Sequence, residues 1–275
     1  RRSLEPLLLG RRIHRATLLR RDVLVLPGDP PGGWTRSRSS SNPPPVPPAA
    51  LLEGEVVDVL LRRGKQLAIA SKSGRTLLVH LGMTGSLRLT GDPTDTHVHA
   101  RWLLDSGQTL LFRDPRRFGG LWALNSRNDL AARWAALGPD ALSLDGPALR
   151  TRLTGSHRPI KATLLDQTCV AGVGNIYADE ALFLAGIRPT RRASRLSRAE
   201  GDALAAAIGT VMHRALAAGG STLRDYVNAV GSPGNAQAGH QVYGRAGLAC
   251  LRCGGPLSDG LVAQRQTVWC RRCQK

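Results

Sequence analysis

Long apolar runs are missing from this 275-residue chain. Nothing approaches the roughly 18 apolar residues of a spanning helix, and no charged start leads into an apolar signal core. Neither a membrane segment nor export is expected. Acid is scarce: 20 Asp+Glu stand against 38 Lys+Arg, for a net charge of +18 and a pI near 11.3. Such an excess repels itself in a compact fold and suits a polyanionic partner, nucleic acid ahead of an anionic membrane. Cysteine is rare too, with five in the chain. So few, spaced as if for metal, fit a reducing compartment. The length itself allows two domains, each with its own core.

Four of those cysteines close the chain as two C-x-x-C pairs, Cys250/Cys253 and Cys270/Cys273, sixteen residues apart. Each pair can present two thiolates from one tight turn, and two such turns make the tetrahedral sulfur site that zinc prefers in structural positions. Two disulfides or free thiols are the alternatives, and the regular spacing favours zinc. Arg252, Arg265, Arg271, Arg272 and Lys275 surround the sulfurs, so the ribbon is expected to touch phosphate. Cys169 lies in an apolar stretch and reads as a buried small hydrophobe.

Along the chain, residues 3–9 read as a short helix that Ser3 could cap and Gly10 ends. Residues 12–27 read as extended, with Val23 and Val25 as strand formers. Residues 27–50 hold eight of the seventeen prolines and read as a disordered excursion. From Glu53 to Leu124 short β-rich segments (EVVDVLL, QLAIAS, TLLVHL, SLRL, RWLL, TLLF, GLWAL) alternate with turn residues, the pattern of an antiparallel sandwich. After residue 127 the period turns helical. Ser197 and Glu200 form a capping box ahead of a helix through Leu204, Ile208 and Val211, which Gly219–Gly220 ends. A second short helix is expected from Ser221, and residues 231–240 read as a flexible loop. The fold class is therefore α+β: a β-sandwich over residues 1–126, a helical domain over 127–230, and a loop with a zinc ribbon over 231–275.

Several motifs could carry chemistry. In 171–180 two glycines precede a helix starting near Asn175, an arrangement that admits an anion to free N–H groups, with Lys161 and Arg188 nearby; tight loop packing is the plainer reading. Met83 sits in a turn, either as core or as an apolar wedge for a base step. Arg116 and Phe118 interleave after a strand, as a solvated basic turn or as groups inserted into a distorted duplex. Lys65 ends an Arg-Arg-Gly-Lys turn that could contact phosphate or carry a proton. His97 and His99 lack a third metal ligand, so a phosphate contact or plain exposure fits them better.

Taken in order, LGMTGSLRL (81–89), DPRRFGG (114–120), IKATLLDQ (160–167), GVGNIYADE (172–180), QVYGR (241–245) and AQRQTVWCRRCQK (263–275) closely resemble the bacterial formamidopyrimidine-DNA glycosylases. These base-excision enzymes remove oxidised purines such as 8-oxoguanine. The resemblance covers almost the whole chain outside residues 27–50. It implies a β-sandwich, a helix–two-turn–helix domain and a C-terminal zinc finger with one structural zinc on Cys250, Cys253, Cys270 and Cys273. It further implies a bifunctional glycosylase/AP lyase acting as a monomer on double-stranded DNA with oxidised purines, in the bacterial cytoplasm and independent of membrane.

Residue by residue, the resemblance makes Met83, Arg116 and Phe118 the trio that fills the gap left by the flipped base. Lys65 becomes a phosphate contact implicated in proton transfer during elimination, and Arg265 the finger arginine linked to the second elimination. His97, Arg158, Lys161 and Asn175 become DNA contacts. Ser221, Thr222, Arg224 and Tyr226, with Tyr243, correspond to the loop over the extruded base. There are departures. Family members present an N-terminal proline, whose secondary amine attacks the sugar C1′, and an adjacent acidic glutamate. Here Arg1–Pro6 matches a segment some ten residues further in, so nucleophile and glutamate are expected to be absent from residues 1–275, which alone should bind DNA without this chemistry. GNAQA (234–238) also replaces a more aromatic family stretch. The rivals are a non-catalytic damage-binding protein and an endonuclease VIII-like pyrimidine glycosylase, the latter disfavoured by the MTG, R-x-F and GVGNIY stretches.

Overall fold

A computed structural model describes residues 1–24, 47–222 and 227–275. They form two compact units: residues 1–135 with 222–234, and residues 136–221 with 235–275. The first begins with α1 (Glu5–Leu8), which buries Leu8 and ends on Leu9 with Gly10 at φ +73°. Strands follow: β1 (Ile13–Leu18), β2 (Val57–Arg63), β3 (Gln66–Ser71), β4 (Thr76–His80), β5 (Ser86–Arg88), β6 (Val98–Leu104), β7 (Thr109–Arg113) and β8 (Gly120–Leu124). All pair antiparallel in two sheets, ordered β1-β6-β7-β5 and β2-β3-β4-β8.

Residues from both sheets share one core, including Leu60, Ile69, Leu77 and Val79 from one and Trp102, Leu104 and Phe112 from the other. Each such side chain contributes about 1.5–3 kcal/mol by leaving water. The far face of the second sheet is covered by α2 (Arg127–Ala135), where Ala68, Leu78, Trp122 and Leu130 form a smaller cluster. That double cover explains why β3 is buried along its whole length instead of alternating.

The second unit holds α3 (Gly146–Leu153), α4 (Ile160–Leu165), α5 (Asn175–Leu184) and α6 (Arg198–Ala217), around Leu149, Ile160, Leu164, Val173, Leu182, Leu204 and Ile208. Ser197 and Glu200 form the expected capping box on α6, and the Arg191 guanidinium holds the Glu200 carboxyl down at about 2. A hairpin of β9 (Leu257–Val262) and β10 (Arg265–Cys270) completes the unit over a core of six buried residues. Cys169 is buried as expected, which pushes its thiol up to about 11.

Several expectations give way to contacts. Ser3 does not cap α1; its hydroxyl accepts from the Ala229 N–H at 3.4 Å. Val23 lies in a 3-10 turn under the sandwich, not in a strand, and Val25 lies outside the described residues. The excursion expected over 27–50 falls mostly outside them too, but residues Pro48–Leu51 form a 3-10 turn that buries Leu51, whose carbonyl accepts from the Trp102 indole N–H at 3.0 Å. Ser221 enters a bridge with Asn235, and most of the short helix expected from it lies outside the described residues. That bridge, the bonds from Asn235 and Ala236 N–H to Ala218 and Gly220, and a 3-10 turn over Ala236–Gly239 give shape to the segment expected as a flexible loop. Helix α2 and residues 222–234 cluster with the sandwich, because α2 roofs β4 and β8 and Ala229 accepts from the Leu89 N–H.

Candidate nucleic-acid interface

In the first unit the basic and apolar candidates stand on turns between strands. Gly64 and Lys65 make the two-residue turn of the β2–β3 hairpin, with Gly64 at φ +56° and the Arg62 guanidinium donating to its carbonyl at 2.7 Å. Lys65 is exposed, and its charge bears on His80. Burial first, and Lys65 second, push the His80 imidazole down to about 4, so its Nδ1 remains an acceptor for the Gly82 N–H at 3.2 Å.

Loop 81–85 and loop 114–119 touch backbone to backbone. A Cβ on Gly82 would lie 2.5 Å from the Phe118 carbonyl carbon, which only glycine avoids. Met83 leaves this turn 52% exposed, high for a side chain that could have been core. Across from it the Arg116 guanidinium stacks on the Phe118 ring at 4.7 Å. Arg117, at φ +55°, turns away to pair with Asp22 at 2.7 Å. His97 is exposed, whereas His99 is buried and its Nε2 bonds the Asp114 carbonyl at 2.8 Å. The two histidines therefore do not share a metal.

Four acids that the sequence did not single out organise these turns. In the first unit, Asp114 is fully buried between the two loops. In the second, Asp179 and Glu180 are buried on α5. Glu180 accepts the N–H groups of Gln241, Val242 and Tyr243 at 2.8–2.9 Å, fixing the QVYGR segment. Asp179 pairs with Lys161 at 2.7 Å and accepts the Val268 N–H at 3.1 Å. Burial pushes the Asp179 carboxyl up to about 6, against the pull of Lys161. Asp166 is the fourth: it holds the exposed Arg158 at 2.9 Å. Apolar neighbours around the adjacent Asp and Glu of ADEALFL are the signal that could have found the α5 pair.

Lys161 requires a correction. It is fully buried, and its Nζ reaches the Thr267 hydroxyl at 2.7 Å and the Gln266 carbonyl at 3.0 Å as well as Asp179. It cannot present its charge to a phosphate from there; it braces β10, whose first residue is the exposed Arg265. Asn175, the first residue of α5, donates to the same Gln266 carbonyl at 3.0 Å. The N-cap, Gly174, offers no side-chain cap, so the helix start keeps its N–H groups uncapped by side chains.

Ser221 meets the Tyr177 hydroxyl and the His240 Nε2, both at 3.3 Å, and Tyr243 packs edge-on to His240 at 5.7 Å. The Thr222 hydroxyl accepts from the Gly234 N–H at 2.8 Å. Arg224 and Tyr226 lie outside the described residues.

At the end of the chain the sulfur atoms of Cys250, Cys253, Cys270 and Cys273 lie within 4.8 Å of one another. The Cys250–Cys273 and Cys253–Cys270 pairs stand at 3.9 and 3.5 Å, close to the roughly 3.8 Å between sulfurs about 2.3 Å from one zinc. Four thiolate donors at these separations fit one structural zinc. The Cys273 N–H points at the Cys270 sulfur, and Gln274 braces the turn through the Cys270 N–H and the Ile187 carbonyl. Among the described residues no other cluster could hold a metal, and no helix is long and apolar enough to cross a membrane.

An antiparallel sandwich, a helical unit and a four-cysteine hairpin suited to zinc make this a zinc-finger protein of mixed α and β structure, and comparison makes the class specific. Family models for the formamidopyrimidine-DNA glycosylase N-terminal domain, its H2TH domain and the zinc finger found in FPG and IleRS match residues 1–121, 137–227 and 247–275. The formamidopyrimidine-DNA glycosylase of Stenotrophomonas maltophilia is 41% identical over 282 residues, covering 100% of this chain and 96% of that protein. The crystal structure of Thermus thermophilus MutM (Fpg) superposes with a TM-score of 0.83 at 40% identity, covering 100% of this chain and 95% of that one. Lactococcus lactis Fpg bound to DNA containing an abasic site gives 0.84 at 30% identity, covering 100% and 96%. The chain belongs to the formamidopyrimidine-DNA glycosylase family.

Proposed function

We propose that this protein is a bifunctional DNA glycosylase/AP lyase that excises oxidised purines, 8-oxoguanine and formamidopyrimidines, from double-stranded DNA. The observation that carries the reading is the half-exposed Met83 on a turn in backbone contact with the Arg116–Phe118 stack. An apolar tip beside a stacked guanidinium suits insertion into a base step, where it holds a kink and fills the space of an extruded nucleotide. Exposed His97 and Arg158, the start of α5 at Asn175, and a net charge of +18 supply the phosphate attraction. Relatives solved with abasic-site and Fapy-dG DNA support the substrate class.

In this reading a proline secondary amine bonds to C1′ as the base leaves with a proton, the C1′–O4′ bond opens to give an iminium, and β- then δ-elimination expel the 3′ and then the 5′ phosphate. Lys65, on an exposed turn, passes a proton during elimination, and the exposed Arg265 guanidinium, which keeps its own proton, stabilises the departing phosphate of the second elimination. Ser221, Thr222, Arg224, Tyr226 and Tyr243 close over the extruded base. The amine must be a free N-terminus, since an amide nitrogen has no available lone pair; Pro6 is internal and cannot serve.

Borohydride trapping on an 8-oxoguanine duplex tests this. A polypeptide beginning at Arg1 is expected to bind the duplex and yield no covalent adduct. The same chain extended by the family's proline-first segment is expected to yield one, followed by strand cleavage. An adduct from the chain beginning at Arg1 overturns the assignment of the nucleophile. Preference of the extended chain for an oxidised pyrimidine indicates the endonuclease VIII-like reading, and binding without an adduct from either indicates a non-catalytic damage binder.

A further inference from the structure

The insertion groups stand on loops, and loops wander unless something ties them. In the first unit one buried carboxyl does so. Asp114 Oδ1 accepts the Thr84 hydroxyl at 2.6 Å, and Oδ2 accepts the Gly119 N–H at 2.6 Å. Thr84 Oγ1 in turn accepts the Arg116 N–H at 3.3 Å, so the residue after Met83 holds the backbone of Arg116. The Asp114 main chain reaches further: its N–H donates to the His97 carbonyl at 3.0 Å, and its carbonyl accepts from the Arg117 N–H at 3.1 Å. The neighbouring Arg113 and Arg117 pair elsewhere, with Asp95 and Asp22. Its charge is met by neutral donors drawn from both loops.

We propose that Asp114 and Thr84 are positioning residues, a strut that holds Met83 at a fixed offset from Arg116 and Phe118 so that the three enter one base step together. The proposal rests on the insertion reading given above. A trio that must enter a gap of fixed width has to be held within about 0.5 Å, and a buried charge-assisted pair of hydrogen bonds supplies that stiffness where backbone contact at Gly82 alone does not.

Asp114→Asn leaves a buried amide facing an N–H donor and can fail through folding, so the test uses Thr84. Thr84→Val removes the hydroxyl and keeps the bulk; Thr84→Ser keeps the hydroxyl. Each is mixed, as the full chain, with a duplex carrying an abasic analogue and a neighbouring 2-aminopurine, whose fluorescence reports unstacking. Melting curves confirm the fold. Thr84→Val is expected to weaken the insertion signal about tenfold, as for Met83→Ala, with affinity for undamaged duplex within about twofold of the parent. Thr84→Ser is expected to restore the signal. A Thr84→Val protein that inserts like the parent overturns the strut. If Met83→Ala also leaves the signal intact, or the parent gives none, the insertion reading itself fails.

Discussion

Each unit buries a carboxylate beneath a turn that carries basic groups, and the two are neutralised in opposite ways. Asp114 in the sandwich is met by a hydroxyl and an N–H; Asp179 in the second unit is met by a fully buried lysine. The surroundings explain the difference. The sandwich has a continuous core of 21 buried residues, whose sheets already fix the ends of both loops, so two neutral donors suffice. The hairpin core has six buried residues, two of them cysteines. It cannot fix β10 by apolar contact alone, and it relies on charge and metal instead. A buried ion pair is poor evidence for stability, since taking two charges out of water costs nearly what their attraction returns. What Lys161 supplies is register: three contacts that hold Gln266, Thr267 and, through Asp179, Val268 in place behind Arg265.

The largest test of this contrast is metal removal. Apparent zinc affinities of such sites are worth about 10–16 kcal/mol, more than so small a core supplies. Chelation, or Cys270→Ser, is expected to strip hydrogen-exchange protection from β9 and β10 and to weaken duplex binding. The amides of β3 are expected to stay protected. A hairpin that keeps its protection and its DNA affinity without metal would show that the two units are stabilised alike.

Breaking the ion pair comes next. Lys161→Met leaves Asp179 buried without its cation, at a cost of about 3–5 kcal/mol. Adding Asp179→Asn removes the stranded charge but keeps an acceptor for the Val268 N–H, and Asn175 still serves the Gln266 carbonyl. The double variant is therefore expected to recover most of the loss in a urea titration. A single variant as mild as the double one would mean that the pair does not hold β10.

These buried acids mark where the sequence stopped being legible. The seven β-rich segments, the capping box and the four cysteines each announce themselves within a few residues, by alternation, by spacing or by a cap. Asp114 follows a strand and precedes Pro115, so locally it reads as an ordinary turn residue. That Thr84 is its partner is settled by the sheet order, which brings β5 beside β7, while Gly119 closes the far end of its own loop. Lys161 failed for the same reason. A lysine among apolar residues on a short helix reads as a surface cation until its partners, far along the chain, are in place. The period of a helix or strand is local information; which buried charge meets which donor is tertiary.

The smallest effect compares the two hairpins that deliver Lys65 and Arg265. Both use two-residue turns, but the β2–β3 turn has Gly64 at positive φ, while the β9–β10 turn puts Ala263 at φ +50° and Gln264 at φ +57°. Left-handed backbone costs a non-glycine residue about 1–2 kcal/mol, and type I′ turns favour Asn-Gly for that reason. Gln264→Gly is therefore expected to stabilise the metal-loaded second unit by about 1 kcal/mol, a rise of roughly 2–4 °C in its melting temperature. Gly64→Ala should lower the sandwich by a similar amount. Equal and opposite shifts would show that the two turns differ only in backbone strain. If Gln264→Gly instead leaves stability unchanged, the ion pair and the metal already hold the hairpin so firmly that relief of strain at its tip no longer registers.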